Sequence, residues 1–149
     1  MFMRLEKFTL EDAKDMCTWK YDGYYSVYNE PSWEKMIKSG RQVCNEEIRD
    51  REYVKVLDDN NNYIGYGRIR DILGTYLVGF AMKPEYTGKG LGKEFVNTVI
   101  KDLHGKLILE VRIDNKRAIK CYESCGFKKI DIKKTEKDGE VLVMGLNKD

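Results

Sequence analysis

Gly88, Gly90 and Gly92 stand at alternate positions in the stretch KPEYTGKGLGK, which begins at Lys83 and runs into a segment with helical apolar spacing. A strand, a glycine-rich turn and an amphipathic helix in direct succession restrict the chain to layered α/β architectures. Such a turn presents backbone N–H groups at the positive end of a helix dipole. That arrangement suits a phosphate or pyrophosphate, and a plain loop with flexible glycines is the alternative. Two nucleotide motifs fail on spacing. A P-loop requires Ser or Thr after Gly-Lys, but Glu94 follows Gly92 and Lys93, and Thr87 occupies its first glycine position. A dinucleotide fingerprint begun at Gly88 meets Lys93 where its third glycine belongs, and one begun at Gly90 meets Phe95.

The rest of the chain alternates strand and helix patterns. Residues 2–8 alternate as a strand. Thr9, with Asp12 three residues on, caps a helix expected to reach residue 20. Residues 19–29 are dense in aromatic side chains and read as irregular. Ser32 caps a second helix that stops at Gly40, and residues 41–50 show no clear period. Strands at 52–57, 63–72 and 75–83, with a turn cluster at 58–62, predict an antiparallel meander. Leu91, Phe95, Val96, Val99, Ile100 and Leu103 mark one face of a helix, with Gly105 expected just past its end. Residues 107–113 (LILEVRI) form the most apolar strand. Asp114 or Asn115 then caps a helix carrying Ala118, Ile119 and Tyr122 on one side and ending at Gly126. Strands at 128–134 and 140–147 close the chain. The order β-α-α-β-β-β-α-β-α-β-β predicts one mixed α/β domain over residues 1–149, with no linker or internal repeat.

Composition removes several classes of function. The 149 residues include 27 basic and 25 acidic ones, a formal charge of +2, too balanced for a dedicated nucleic-acid binder. No apolar run is long enough to span a membrane. The N-terminal stretch MFMRLEKF lacks the long apolar region of a signal peptide. Cys17, Cys44, Cys121 and Cys125 match no zinc spacing and are too few for a disulfide scaffold, so reduced thiols in a cytoplasmic protein are expected. His104 is the only histidine, so one chain cannot build a multi-histidine metal site or a His-based triad. No metal is expected.

Two segments resemble the GNAT superfamily of acyl-CoA-dependent N-acyltransferases, and the element order matches that fold over nearly the whole length. One is Phe80, Ala81, Met82, Lys83, Pro84, Glu85 and Tyr86 followed by Gly88, Lys89, Gly90, Leu91 and Gly92. The other is Glu110, Val111 and Arg112, then Asn115, Ala118, Tyr122, Gly126 and Phe127, the pattern N-x-x-A-x-x-x-Y-x-x-x-G-F. The resemblance implies a mostly antiparallel sheet of about seven strands, splayed between the fourth and fifth. The pantetheine arm of acetyl-CoA would enter that gap as a surrogate strand along Phe80, Ala81 and Met82. The main chain from Gly88 to Lys93, with Lys89, Leu91 and Lys93, would hold its pyrophosphate. Where the family often has Gln or Arg, this chain has Thr87, whose hydroxyl can bond a phosphate but brings no charge. Asn115 would touch the cofactor, cap its helix, or do both.

The implied activity is acetyl transfer from acetyl-CoA to a primary amine, with a small-molecule acceptor favoured over a peptide. Tyr122 matches the family's usual general acid, placed to donate to the departing sulfur; its alternative is core packing. Many family members carry a Glu near the positions of Val78 and Gly79. None stands there, and Glu110 and Asp71 are open alternatives, so no general base is assigned. That absence counts against the protein N-terminal acetylating branch. A catalytically quiet acyl-CoA-binding or regulatory domain, a protein lysine acetyltransferase, and a nucleotide-phosphate binder are the competing readings. Tyr21, Tyr24, Tyr25, Tyr28 and Trp33 are candidates for the acceptor wall, Tyr24, Tyr25 and Tyr28 above the others, with Asp22 or Glu30 facing a cationic amine. Cys121 is not expected to act as a nucleophile. Family members often pair, so a homodimer is a further expectation.

Overall fold

The computed structural model describes residues 2–149. Its strands are β1 (Met3–Lys7), β2 (Tyr53–Asp58), β3 (Tyr63–Ile72), β4 (Thr75–Met82), β5 (Gly105–Arg112), β6 (Lys128–Thr135) and β7 (Gly139–Lys148). Its helices are α1 (Leu10–Met16), α2 (Trp33–Lys38), α3 (Glu46–Glu52), α4 (Gly92–Ile100) and α5 (Lys116–Ser124). One sheet holds all seven strands in the order β1-β2-β3-β4-β5-β7-β6. Every neighbouring pair is antiparallel except β4 and β5.

That parallel pair fixes the site. β4 and β5 are in register only over Thr75–Lys106, Tyr76–Leu107 and Leu77–Ile108. β4 stays paired to β3 as far as Met82, and β5 stays paired to β7 as far as Arg112. Their remaining lengths therefore part, and the sheet opens between residues 78–82 and 109–112. This is the splay expected between the fourth and fifth strands.

The helices follow from local chemistry. Thr9 and Asp12 form a reciprocal capping box: the Thr9 hydroxyl accepts from the Asp12 N–H, and Asp12 accepts from the Thr9 N–H at 2.8 Å. α1 ends at Met16, short of the expected residue 20. The cause is Trp19, which turns into the interior while its indole N–H donates to Asp15 at 3.0 Å. α3 falls in the stretch that shows no period. Asn45 caps it through the Ile48 N–H, and its sequence EEIRDRE buries Arg49, whose guanidinium donates to the Val43 carbonyl at 3.0 Å. Gly105 does not close α4. It opens β5 with a φ of +101°.

Two apolar clusters flank the sheet. One joins α4 and α5 to the strands through Phe95, Val99, Leu107, Leu109, Phe127 and Met144. Gly67 lets α4 lie close on β3, since a Cβ there would stand 2.5 Å from Val99 Cγ1. The other holds Phe8, Ala13, Met16, Trp19 and Met36, with Tyr53, Tyr63 and Tyr66 packed against it. Among the described residues no helix is long and apolar enough to cross a membrane.

Candidate active site in the gap between β4 and β5

The gap opens into a cleft of about 960 Å³ whose lining takes in the glycine-rich turn and the aromatic stretch. At the turn, Gly88 and Gly90 adopt φ of +71° and +77°, the left-handed region open to glycine. Leu91 stands at the N-cap of α4 and supplies no side-chain hydrogen bond. The first-turn amides of α4 therefore stay available at the positive end of the helix. Gly92 is glycine for another reason. A Cβ there would lie 2.8 Å from Cys121 Sγ, so its bareness lets α5 approach the start of α4. The Thr87 hydroxyl donates to the Pro84 carbonyl at 2.7 Å, which commits its proton locally.

α5 carries the second half of the site. Asn115 is 8% exposed and caps the helix, accepting from the Ala118 N–H at 3.2 Å. Its amide donates to the Tyr28 hydroxyl at 2.9 Å, and the side chain stands at the cleft wall, so the expected capping role is seen. The helix ends in a Schellman turn. The Phe127 N–H bonds the Tyr122 carbonyl and the Gly126 N–H bonds the Glu123 carbonyl, each at 3.0 Å, with Gly126 at φ +100°. Tyr122 is thereby fixed by its backbone, and its ring is fixed by Phe80 and Phe127, with centroids 5.6 and 6.1 Å away. Burial pushes its phenol above the ordinary tyrosine value, so it stays protonated at neutral pH.

The rest of the wall is built by the segment around the 3₁₀ turn Gly23–Tyr28 and by the β6–β7 hairpin. Tyr21, Tyr25, Tyr28 and Glu30 line the cleft from the first, Lys137 and Asp138 from the second. The Tyr21 hydroxyl donates to the Met82 carbonyl, which ties this segment to the end of β4, and burial pushes its pKa up to about 12. Tyr24, an expected acceptor-wall residue, does not line the cleft. Its hydroxyl turns outward and donates to Asp114 at 2.6 Å. Trp33 and Asp22 also lie outside the lining. So does Lys89, which is exposed on the turn, whereas Lys93 borders the cleft.

Charge divides the cleft. Each lining carboxylate has a cation partner: Glu30 with Arg41 at 2.8 Å, Glu110 with Lys133 at 2.5 Å, and Asp138 with Arg112 at 3.5 Å. Among the described residues, Lys93, Arg117, Lys120 and Lys137 line the cleft and enter no salt bridge, the first three on α4 and α5 and the last in the β6–β7 hairpin. Surplus positive charge thus gathers where the turn meets α5. Asp71 is remote; it accepts from the Gly74 N–H in the β3–β4 turn. Arg117, Lys120 and Asp138 carry no role in the sequence analysis, and Arg112 appears there only as part of the matched segment. Arg117 follows Asn115 by two residues in the helix motif, the only sequence signal that would have pointed to it.

Residues 13–127 match the sequence model of the acetyltransferase (GNAT) family. The spermidine N(1)-acetyltransferase of Thermoplasma acidophilum is 28% identical over 160 residues, spanning 97% of this chain and 96% of that protein. Among solved structures, aminoglycoside acetyltransferase AAC(6')-Ib in complex with coenzyme A shares the fold with a TM-score of 0.76 at 19% identity, over 98% of this chain and 95% of that one. The spermidine N-acetyltransferase of Vibrio cholerae in complex with CoA and spermine does so with a TM-score of 0.73 at 20% identity, over 97% and 94%.

Proposed function

Since the chain belongs to the acetyltransferase (GNAT) family, an acyl-CoA-dependent N-acetyltransferase, we propose that it moves the acetyl group of acetyl-CoA to a primary amine of a small molecule in the cytoplasm. The observation that carries this reading is the continuity of the cleft. A strand gap with one free β4 edge runs directly into uncapped helix amides and unpaired cations. The dimensions and donors suit a thiol-bearing arm joined to a pyrophosphate.

In this reading the amides from Gly88 to Lys93 hold the pyrophosphate, with Lys93 adding charge. The β4 main chain at Phe80, Ala81 and Met82 pairs with the pantetheine amides and offers an N–H to the thioester oxygen. The amine nitrogen attacks the carbonyl carbon, the carbon–sulfur bond breaks, and Tyr122 donates toward the sulfur as negative charge develops there. Its phenol is a weaker acid than the thiol it assists, so it acts chiefly as a hydrogen-bond donor. No carboxylate projects from β4 at Val78 or Gly79, and Glu110 is engaged by Lys133. The ammonium proton therefore leaves to solvent through the open mouth of the cleft.

Tyr28 and Glu30 form the acceptor end, where a ring and a carboxylate suit a cationic amine; Glu30 would meet it alongside its partner Arg41. Polyamines and aminoglycosides, the acceptors named for the similar proteins, are of that chemistry. The test is an acetyl-CoA assay over a panel of polyamines, aminoglycosides, amino acids and peptides, read by thiol release and by the mass of the acetylated product. Turnover with small primary amines supports the reading. Coenzyme A binding without turnover on any amine replaces it with a catalytically quiet acyl-CoA-binding domain.

A further inference from the structure

We infer that Arg117 is a pyrophosphate-binding residue, holding from α5 the charge that the glycine-rich turn itself does not provide. The inference rests on the functional reading above and concerns the same cleft. Three observations meet on this side chain. Its guanidinium lies against the turn: NH1 stands 3.4 Å from the position a Cβ would take on Gly88. It enters no salt bridge among the described residues, although every carboxylate lining the cleft has found a cation. And it is held in place by an aromatic ring rather than by an acid, with its Cζ 4.0 Å from the centroid of Tyr25.

A cation seated on a ring keeps its in-plane N–H donors free for a second, anionic partner. An acid in Tyr25's place would have neutralised the charge. The neighbouring polar group cannot serve, since Thr87 donates its hydroxyl proton to Pro84. Gly88 and Gly90 take left-handed conformations in the turn beside Arg117, the backbone form in which successive amides can converge on an anion. Arg117 and these amides face one anion from two elements, the fork geometry that guanidinium offers to phosphate oxygens. Tyr25 belongs to the segment that also supplies the acceptor wall.

Isothermal titration of coenzyme A and of dephospho-coenzyme A, which keeps the pyrophosphate but lacks the 3′-phosphate, tests the assignment. Arg117→Gln is expected to weaken both ligands by roughly 10- to 100-fold, the range for a charge-assisted contact. It should also flatten the salt dependence of affinity. Arg117→Lys should recover part of the affinity and the salt dependence. Tyr25→Ala should weaken both ligands by about 2- to 5-fold through loss of the ring seat. Arg117 is exposed, so the unfolding midpoint of ligand-free Arg117→Gln should match the wild type. Equal affinity of wild type and Arg117→Gln overturns the inference. So does a loss seen with coenzyme A but not with dephospho-coenzyme A, which moves the contact to the 3′-phosphate. A wild-type chain that ignores both ligands overturns the functional reading as a whole, and the inference with it.

Discussion

Tyr122 on α5 and Phe80 on β4 stack with ring centroids 5.6 Å apart and planes tilted by 37°, so the helix that carries the proposed acid is braced against the free edge of the split strand. Tyr122→Phe keeps that stack and removes only the hydroxyl. We expect kcat to fall by roughly 100-fold or less, with little change in KM for acetyl-CoA. Steady-state kinetics on the best acceptor provide the check, and an unchanged kcat removes Tyr122 from the chemistry.

Burial raises the Tyr122 pKa above the ordinary tyrosine value of about 10, so its protonated form persists across the usual assay range. A free alkyl amine, with a pKa of about 10.4, must lose its proton before it attacks. The rate at low amine concentration should therefore rise with pH up to about 10, with no falling limb from Tyr122 below that point. A bell-shaped profile centred near neutrality would instead demand an acid and a base of ordinary pKa.

Gly92 faces Cys121 Sγ at 2.8 Å from where a Cβ would be, whereas Gly90 has open space and a left-handed backbone. Gly92→Ala should destabilise by about 1–3 kcal/mol through overpacking of α4 on α5. Adding Cys121→Ala should restore much of that loss. Gly90→Ala should cost about 1–2 kcal/mol through backbone strain alone, and Cys121→Ala should not repair it. Denaturant midpoints of the four variants separate the two causes.

Burial raises the pKa of Tyr63 and Tyr66 as well, around the cluster of Phe8 and Trp19, and lifts Tyr21 to about 12. These phenols titrate later in the folded chain than in the unfolded one. Their contribution is therefore complete below about pH 10 and lost as pH rises beyond it through the folded values. The thermal midpoint should be flat on the tyrosine account up to about pH 9.5 and fall above it. Tyr63→Phe together with Tyr66→Phe should shallow that fall.

Much of this architecture is written in local signals. The Thr9–Asp12 box, the Ser32 cap, the alternation of β2 to β4, and the Gly126–Phe127 stop each declare themselves within a few residues. What escaped depends on partners distant in sequence. α3 has one apolar residue and is held by a buried arginine reaching a carbonyl, so its apolar period is silent. α1 ends early because Trp19 finds a core that β2 and β3 complete. Tyr24 and Tyr25 look alike in sequence. One donates outward to Asp114 and the other seats Arg117, a difference set by where α5 begins. Gly92 lines the cleft and also leaves room for Cys121 of the neighbouring helix, a contact no local pattern declares.

A crystal structure with coenzyme A bound examines the whole proposal at once. We expect the pyrophosphate on the amides of residues 88–93 beside Arg117, the pantetheine arm between residues 78–82 and 109–112, and the sulfur within hydrogen-bond reach of the Tyr122 hydroxyl. Coenzyme A bound elsewhere on the chain, with the gap between β4 and β5 closed by direct strand pairing, would contradict it.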